Sequence, residues 1–317
     1  MNGILLLDKP SGWTSNDVVQ KLRGALRERR IGHAGTLDPM ATGLLTVFVG
    51  RATRAVEFAE GDEKTYIAGL HLGVVTDTQD VTGTVISSVP DVHITAEDLE
   101  AALRPFRGTV LQTPPMYSAI RVNGQRLYDL ARLGKTVERR PREITVHELS
   151  ILDGAGSDWS LLVRCSKGTY VRTLCHDIGN LLACGGCMSS LRRTRAGCFS
   201  LEDAVSLETV LRFVQEGKAE ALLLPVDRLF EGDPAVTVLS AADRKLRNGN
   251  AVPLSDVALP AVSVLPGHLP VFAGSLQTSA PGSDCTACRV YSESGEFLAL
   301  GRIAEGKLQP VKSFFEV

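Results

Sequence analysis

One stretch of the chain holds a carboxylate in a setting suited to chemistry: Gly32-His33-Ala34-Gly35-Thr36-Leu37-Asp38-Pro39-Met40-Ala41-Thr42-Gly43-Leu44-Leu45. Its three glycines free the backbone where side chains would block it. Pro39 pushes Asp38 out of the helical region and into an extended shape. The apolar run over residues 44–49 reads as a buried strand that anchors the loop. An aspartate so held serves as a nucleophile or a base. The same residues also suit an ordinary Asp-Pro turn, and the loop by itself leaves both readings open.

Charge suggests a partner. The 317 residues carry a net charge of −2, yet residues 104–143 hold nine Lys and Arg against three Asp and Glu. Residues 21–30 hold five against one. Basic patches on a mildly acidic chain point to a defined anionic partner or to a solvated basic face. Residues 106–143 mix arginines, prolines, glycines and three aromatics without long periodicity. That composition suits a protruding RNA contact, because bases stack on rings and phosphates pair with guanidinium.

Other classes are disfavoured. No apolar run of about 18 residues occurs, so no membrane span is expected. The N-terminus lacks the basic start of a secretory signal. Seven cysteines, an odd number, favour reduced thiols and a cytoplasmic location. Two Cys-x-x-Cys pairs, Cys184/Cys187 and Cys285/Cys288, have the ligand count of a structural zinc site. They lie far apart in the chain, and no metal is expected. Glycine patterns for ATP or NAD are absent, so neither is expected as a cofactor.

The elements that must position Asp38 follow from periodicity. Residues 4–7 read as a strand. Residues 14–30 read as a helix capped by Thr14 or Ser15 and ended by Gly32, with Val18, Val19, Leu22 and Leu26 on its apolar face. Residues 66–72 and 81–87 read as strands joined by a Thr/Asp/Gly turn. Residues 95–104 read as a short helix with a Thr95/Asp98 capping box. Residues 159–165 read as a strand and 171–184 as a helix with Arg172 in its first turn. A cation there gains nothing from the helix dipole, so it is either a surface arginine or the partner of a carboxylate. Residues 201–224 look helical. From about Ala235, short apolar runs alternate with Gly and Pro turns, as in a small β-barrel. Residues 253–288, with five prolines, read as an irregular insertion.

Several motifs, in order, resemble those of the TruB family of tRNA pseudouridine-55 synthases. The Asp38 stretch resembles the family's catalytic-aspartate motif. Residues 6–15 resemble its opening motif, 64–66 its tyrosine motif, and 76–80 with Gly83 its acidic stretch. Residues 114–119 and 126–132 resemble its RNA-gripping insertion, 166–172 its arginine motif and 190–193 its leucine-arginine motif. The resemblance implies an α/β (α+β) fold with a mixed, largely antiparallel central sheet flanked by helices. It implies a catalytic domain over 1–232, with the basic insertion at about 106–143, and a PUA-like RNA-binding barrel over 233–317.

The implied activity is isomerisation of uridine 55, in the T-arm loop of tRNA, to pseudouridine. The implied enzyme is a stand-alone monomer needing no cofactor, metal or protein partner. Asp38 would be the nucleophile, attacking ribose C1′ or uracil C6. Arg172 would pair with Asp38, and Asp80 would hold Arg172. Tyr66 would stack on the base and take the C5 proton. Tyr170 and Leu191 would line the pocket, and His33 would fill the space left by the flipped uridine. Lys9, Arg126 and Arg132 would contact RNA. Two alternatives remain: a guide-RNA-dependent synthase that works only in a complex, and a non-catalytic RNA-binding module, which has no need of Asp38.

Overall fold

The computed structural model describes residues 1–61, 63–122, 124–259 and 286–315. The apolar run after Asp38 is the strand Thr42–Val49, with every residue from Gly43 onward buried. Such a run does not alternate because both of its faces are covered. On one side Leu45, Val47 and Val49 meet Val18 and Leu22 of the helix Ser15–Leu26. On the other, Leu44 and Phe48 meet Ala52, Phe230 and Phe314.

This strand sits inside a ten-stranded sheet. Its order is Val205–Ser206, Gly3–Lys9, Thr42–Val49, Gly186–Ala196, Lys64–Leu72, Asp158–Cys165, Arg142–Ala155 and Gly108–Gln112. Ile31–Ala34 pairs on Thr42–Val49, and Phe199–Ser200 pairs on Gly186–Ala196. The sheet is mixed and largely antiparallel, as expected. Parallel pairing joins Thr42–Val49 to Gly186–Ala196 and Gly3–Lys9 to Val205–Ser206. The helix Val171–Leu181 covers the sheet, with Leu174 and Ile178 packed among Leu70, Leu72 and Met188.

A second, six-stranded sheet has its own core of Val236, Leu246, Val290, Leu298 and Leu308. It is the small β-domain expected after Ala235. It docks firmly on the first sheet: Leu300 and Phe314 are buried in the cluster that holds Phe48, Ala55 and Phe230. Lys312 pairs with Glu57 at 2.6 Å, Arg54 Nη1 donates to the Ser313 carbonyl at 3.1 Å, and Arg51 donates to that of Phe315. The irregular insertion read at 253–288 is in part regular, since Val252–Pro253, Val257–Ala258 and Thr286–Ser292 are strands. Residues 260–285 of it lie outside the described residues.

Several local expectations are corrected. The first helix stops at Leu26, because Arg27 takes the left-handed conformation at φ 52°. Gly32 lies in a strand instead. Lys64–Leu72 does not pair with the segment that follows it. Its neighbours are Asp158–Cys165 and Gly186–Ala196, while Val85–Ser88 pairs with Val74–Thr76. Residues 201–224 form only one α-helix, Leu207–Gln215, between shorter pieces. The basic insertion is narrower than 106–143, because Gly108–Gln112 and Arg142–Ala155 are paired sheet strands. The excursion over 113–141 carries a small hairpin and the helix Leu127–Arg132.

Candidate active site

The Asp38 loop joins Ile31–Ala34 to Thr42–Val49 and is held from behind by the opening motif. The Ser15 hydroxyl accepts from the Leu37 amide at 2.9 Å and sits 3.3 Å from the Leu37 carbonyl. The Gly12 amide donates to the Pro39 carbonyl at 2.8 Å, and the Ala41 amide to that of Asp38 at 3.0 Å. Gly43 has φ +99°, and a Cβ there would stand 2.3 Å from the Arg193 carbonyl, so only glycine fits. The loop's backbone is thus tied at both ends, which fixes where the carboxylate points.

Asp38, Arg172 and Asp80, distant in sequence, meet here. Arg172 Nη2 lies 3.1 Å from Asp38 Oδ1 and donates to the Tyr117 carbonyl at 2.8 Å. Arg172 Nη1 lies 3.9 Å from Asp80 Oδ2. The arginine is thus no surface residue: its side chain is only 9% exposed. Asp80 is buried, and its Oδ1 accepts from the Thr78 hydroxyl and from the amide and hydroxyl of Thr82. Its loop is stitched to the Leu191 strand: the Val81 amide donates to the Met188 carbonyl and the Met188 amide to the Gln79 carbonyl, both at 3.0 Å. Burial pushes the Asp38 carboxyl above its ordinary range, Arg172 opposes that, and Asp80 adds to it. A more basic carboxylate, kept ionised by an adjacent guanidinium, is a stronger nucleophile than a solvated one.

Tyr66 and Leu191 lie on neighbouring strands of the same sheet, with Tyr66 directly opposite Arg193 and Leu191 opposite Ala68. Tyr66 is half-buried and Leu191 buried. Burial pushes the Tyr66 phenol upward, and Arg193 is the first group to oppose it. Tyr170 caps the Val171–Leu181 helix, and its backbone is clamped by Gln112: the Tyr170 amide donates at 2.8 Å and the Gln112 amide donates to its carbonyl at 3.1 Å. His33 lies in the strand leading into the loop, with Nδ1 buried and unpartnered. Burial, helped by Arg193, lowers its pKa. A neutral imidazole suits stacking on bases better than gripping phosphate.

Lys9 does not stand where an RNA contact must. It is fully buried, and its Nζ donates to the carbonyls of Pro10, Trp13 and Pro39 at 2.8, 2.6 and 3.3 Å. All three N–H donors are used inside the protein, one of them on the loop that presents Asp38. Burial lowers its pKa to about 8, with Asp38 pulling the other way. Arg126 and Arg132 are exposed and flank the Tyr128 ring at 5.7 and 5.5 Å. They make a cation–aromatic platform on the insertion. Cys187 and Cys288 are buried in different sheets, and Cys285 lies outside the described residues. Burial raises the Cys187 thiol to about 11, which disfavours the thiolate a metal needs. Sequence reasoning missed two participants. Tyr117 offers a backbone carbonyl, which no side-chain pattern reveals. Arg193 was visible only as a letter in the leucine-arginine motif.

A buried Arg–carboxylate cluster beside a sheet-borne tyrosine and leucine, on this mixed sheet with a small β-domain appended, defines a pseudouridine-synthase type of isomerase. Residues 23–171 match the N-terminal domain of the TruB family of pseudouridylate synthases, and residues 172–231 match the tRNA pseudouridylate synthase B C-terminal domain. The chain is 42% identical over 252 residues to a tRNA pseudouridine synthase B of Clostridium kluyveri, spanning 80% of this chain and 86% of that one. It is 48% identical over 237 residues to that of Stutzerimonas stutzeri, spanning 74% and 77%. Among solved structures, a Cbf5-Nop10-Gar1 complex aligns at TM-score 0.70 and 26% identity over 99% of this chain and 85% of that chain. An H/ACA RNP bound to a substrate RNA containing 2′-deoxyuridine aligns at TM-score 0.71 and 24% identity over the same shares, a likeness of fold. The chain belongs to the TruB family of pseudouridylate synthases.

Proposed function

We propose that this enzyme converts uridine 55 in the T-arm loop of tRNA to pseudouridine, as a cytoplasmic monomer without guide RNA, cofactor or metal. The observation that carries the reading is the Arg172 guanidinium 3.1 Å from Asp38 and 3.9 Å from Asp80. Relatives named tRNA pseudouridine synthase B support tRNA as the substrate. The reaction oxidises nothing and donates no group, so protein side chains suffice. The uridine leaves its stack at a cost of a few kcal/mol, offset by stacking on Tyr66 and by backbone contacts. His33 fills the vacated space. Asp38, held ionised by Arg172, attacks the nucleoside as the N1–C1′ bond opens. Attack at C1′ or at C6 uses the same ionised oxygen. The base turns and C5 joins ribose. The Asp38 carboxylate leaves C1′ as C5 takes its place, or leaves C6 as the C5 proton departs, and Tyr66 takes that proton. Tyr170 and Leu191 line the pocket.

In this reading residues 1–232 perform the chemistry and 233–317 grip RNA. The exposed arginines of the insertion favour a stand-alone enzyme over a guide-dependent one. The test is incubation of purified protein with an unmodified T-arm stem-loop, followed by mapping. Pseudouridine at position 55 with no added RNA or protein is the expected result. Modification elsewhere, or only with a guide, overturns the reading.

A further inference from the structure

Among the buried charged groups of the described residues, Arg193 is one that the proposed mechanism leaves without a task. Arg193 is 1% exposed and ranks among the largest fully buried side chains. Among the described residues no carboxylate pairs with it. A buried cation with no carboxylate beside it is costly to desolvate, and its N–H donors must be met by other groups. Its Nε donates to the Leu44 carbonyl at 2.7 Å and its Nη2 to the Gly35 carbonyl at 2.8 Å. Those two carbonyls bracket the loop that presents Asp38. Gly35 has φ +70°, and a Cβ there would stand 3.1 Å from Arg193 Nη1, so the guanidinium packs close against the loop backbone. In the sheet, Arg193 is the direct partner of Tyr66 on one side and of Gly43 on the other.

We propose that Arg193 is a positioning residue of the reaction, a buried cation that ties both ends of the Asp38 loop to the Leu191 strand and faces the Tyr66 phenol. The proposal rests on the synthase reading above. Of the charged and titratable groups that face Tyr66, Cys165 and Asp38 act with burial to hold its proton, and Arg193 acts against them. Around Arg193 itself stand His33, Lys9 and Lys64. In the final step C5 passes its proton to the phenolate oxygen of Tyr66. The C5–H electron pair becomes the ring C5=C6 bond. As it does so the C6=N1 π pair moves onto N1, or on the C6 route the Asp38–C6 bond opens and returns its pair to the carboxylate. N1, freed from ribose, takes a proton from solvent. The sum is an isomerisation. A positive charge beside the phenol enlarges the fraction of Tyr66 able to accept that proton.

The experiment compares wild type, Arg193→Gln and Arg193→Lys in single-turnover tritium release from [5-³H]uridine-labelled tRNA transcript, from neutral to alkaline pH. Arg193→Gln should be slower by about 10- to 100-fold at neutral pH. It should recover as pH rises, because its phenol needs more alkali to ionise. The enzyme concentration that gives the half-maximal single-turnover rate should stay within about threefold. Arg193→Lys, which keeps the charge, should follow the wild-type pH profile. A loss that is the same at every pH, a Gln variant like wild type, or a Lys variant no better than Gln overturns the role. If the Gln variant does not fold, the Lys variant decides: a wild-type profile supports the proposal and a displaced one refutes it. Wild type that releases no tritium overturns the synthase reading, and this proposal with it. Wild type that is active beside a Gln variant of unaltered profile overturns the role of Arg193 alone.

Discussion

Arg172→Met keeps much of the side-chain volume and removes the charge that joins the two carboxylates. At an effective dielectric of about 20, the attraction is about 5 kcal/mol to Asp38 at 3.1 Å and about 4 kcal/mol to Asp80 at 3.9 Å. Desolvation of a guanidinium only 9% exposed offsets much of this. Removing one partner of a buried pair costs about 3 to 5 kcal/mol. The Asp38 side chain is 31% exposed, so the lower end, about 3 kcal/mol, applies, and Tm falls by roughly 5 °C. The pH dependence has a definite sign. Burial and Asp80 push the Asp38 carboxyl up, and Arg172 is the leading opposing group, so the variant's carboxyl moves higher still. A carboxyl raised above its unfolded value stabilises the fold at low pH and loses that contribution as pH rises through the folded value. The Tm deficit against wild type should therefore be small in acid and grow toward neutral pH. Turnover at neutral pH should fall by more than about 100-fold. Scanning fluorimetry across pH and tritium release from labelled tRNA measure both. A deficit that is equal at all pH, or larger in acid, refutes the argument, as does near-wild-type turnover.

Three further outcomes are expected. Asp38→Asn should abolish turnover while RNA affinity stays within about tenfold. Its Tm at neutral pH should not fall, because a carboxylate that burial disfavours is gone; pseudouridine formed by the purified variant sinks the nucleophile assignment. Replacing Arg126, Arg132 and Arg140 with Gln should flatten the slope of log affinity against log salt by roughly two to three, with stability little changed. Arg139 is left in place because its Nη1 bonds the Pro114 carbonyl at 3.1 Å, and an unchanged slope with a lower Tm makes the insertion scaffold. Removing residues 233–317 strips Leu300 and Phe314 from the cluster around Phe230, so the truncated chain should lose solubility or melt at lower temperature; a truncation as stable as the full chain refutes the packing argument.

The Asp38 loop, its following strand and the capped helices at Thr14 and Thr95 were legible in the chain, because glycine, proline, cap and apolar-run signals act within a few residues. The motifs around Asp80 and Arg172 were legible too, though nothing local says that Asp38 and Arg172, 134 positions apart, share a hydrogen bond. Tertiary structure decided the rest. Lys9 resembles a phosphate contact in one dimension; carbonyls from Pro10, Trp13 and Pro39 converge on its ammonium only after the loop folds back. The Lys64–Leu72 strand offered no cue to partners drawn from Asp158–Cys165 and Gly186–Ala196. Backbone hydrogen bonds are the same for every residue, so pairing follows from which faces must be buried together. The same non-local pairing sets Arg193 opposite Tyr66 and behind the Asp38 loop, where a side chain unremarkable in the sequence becomes a buried charge.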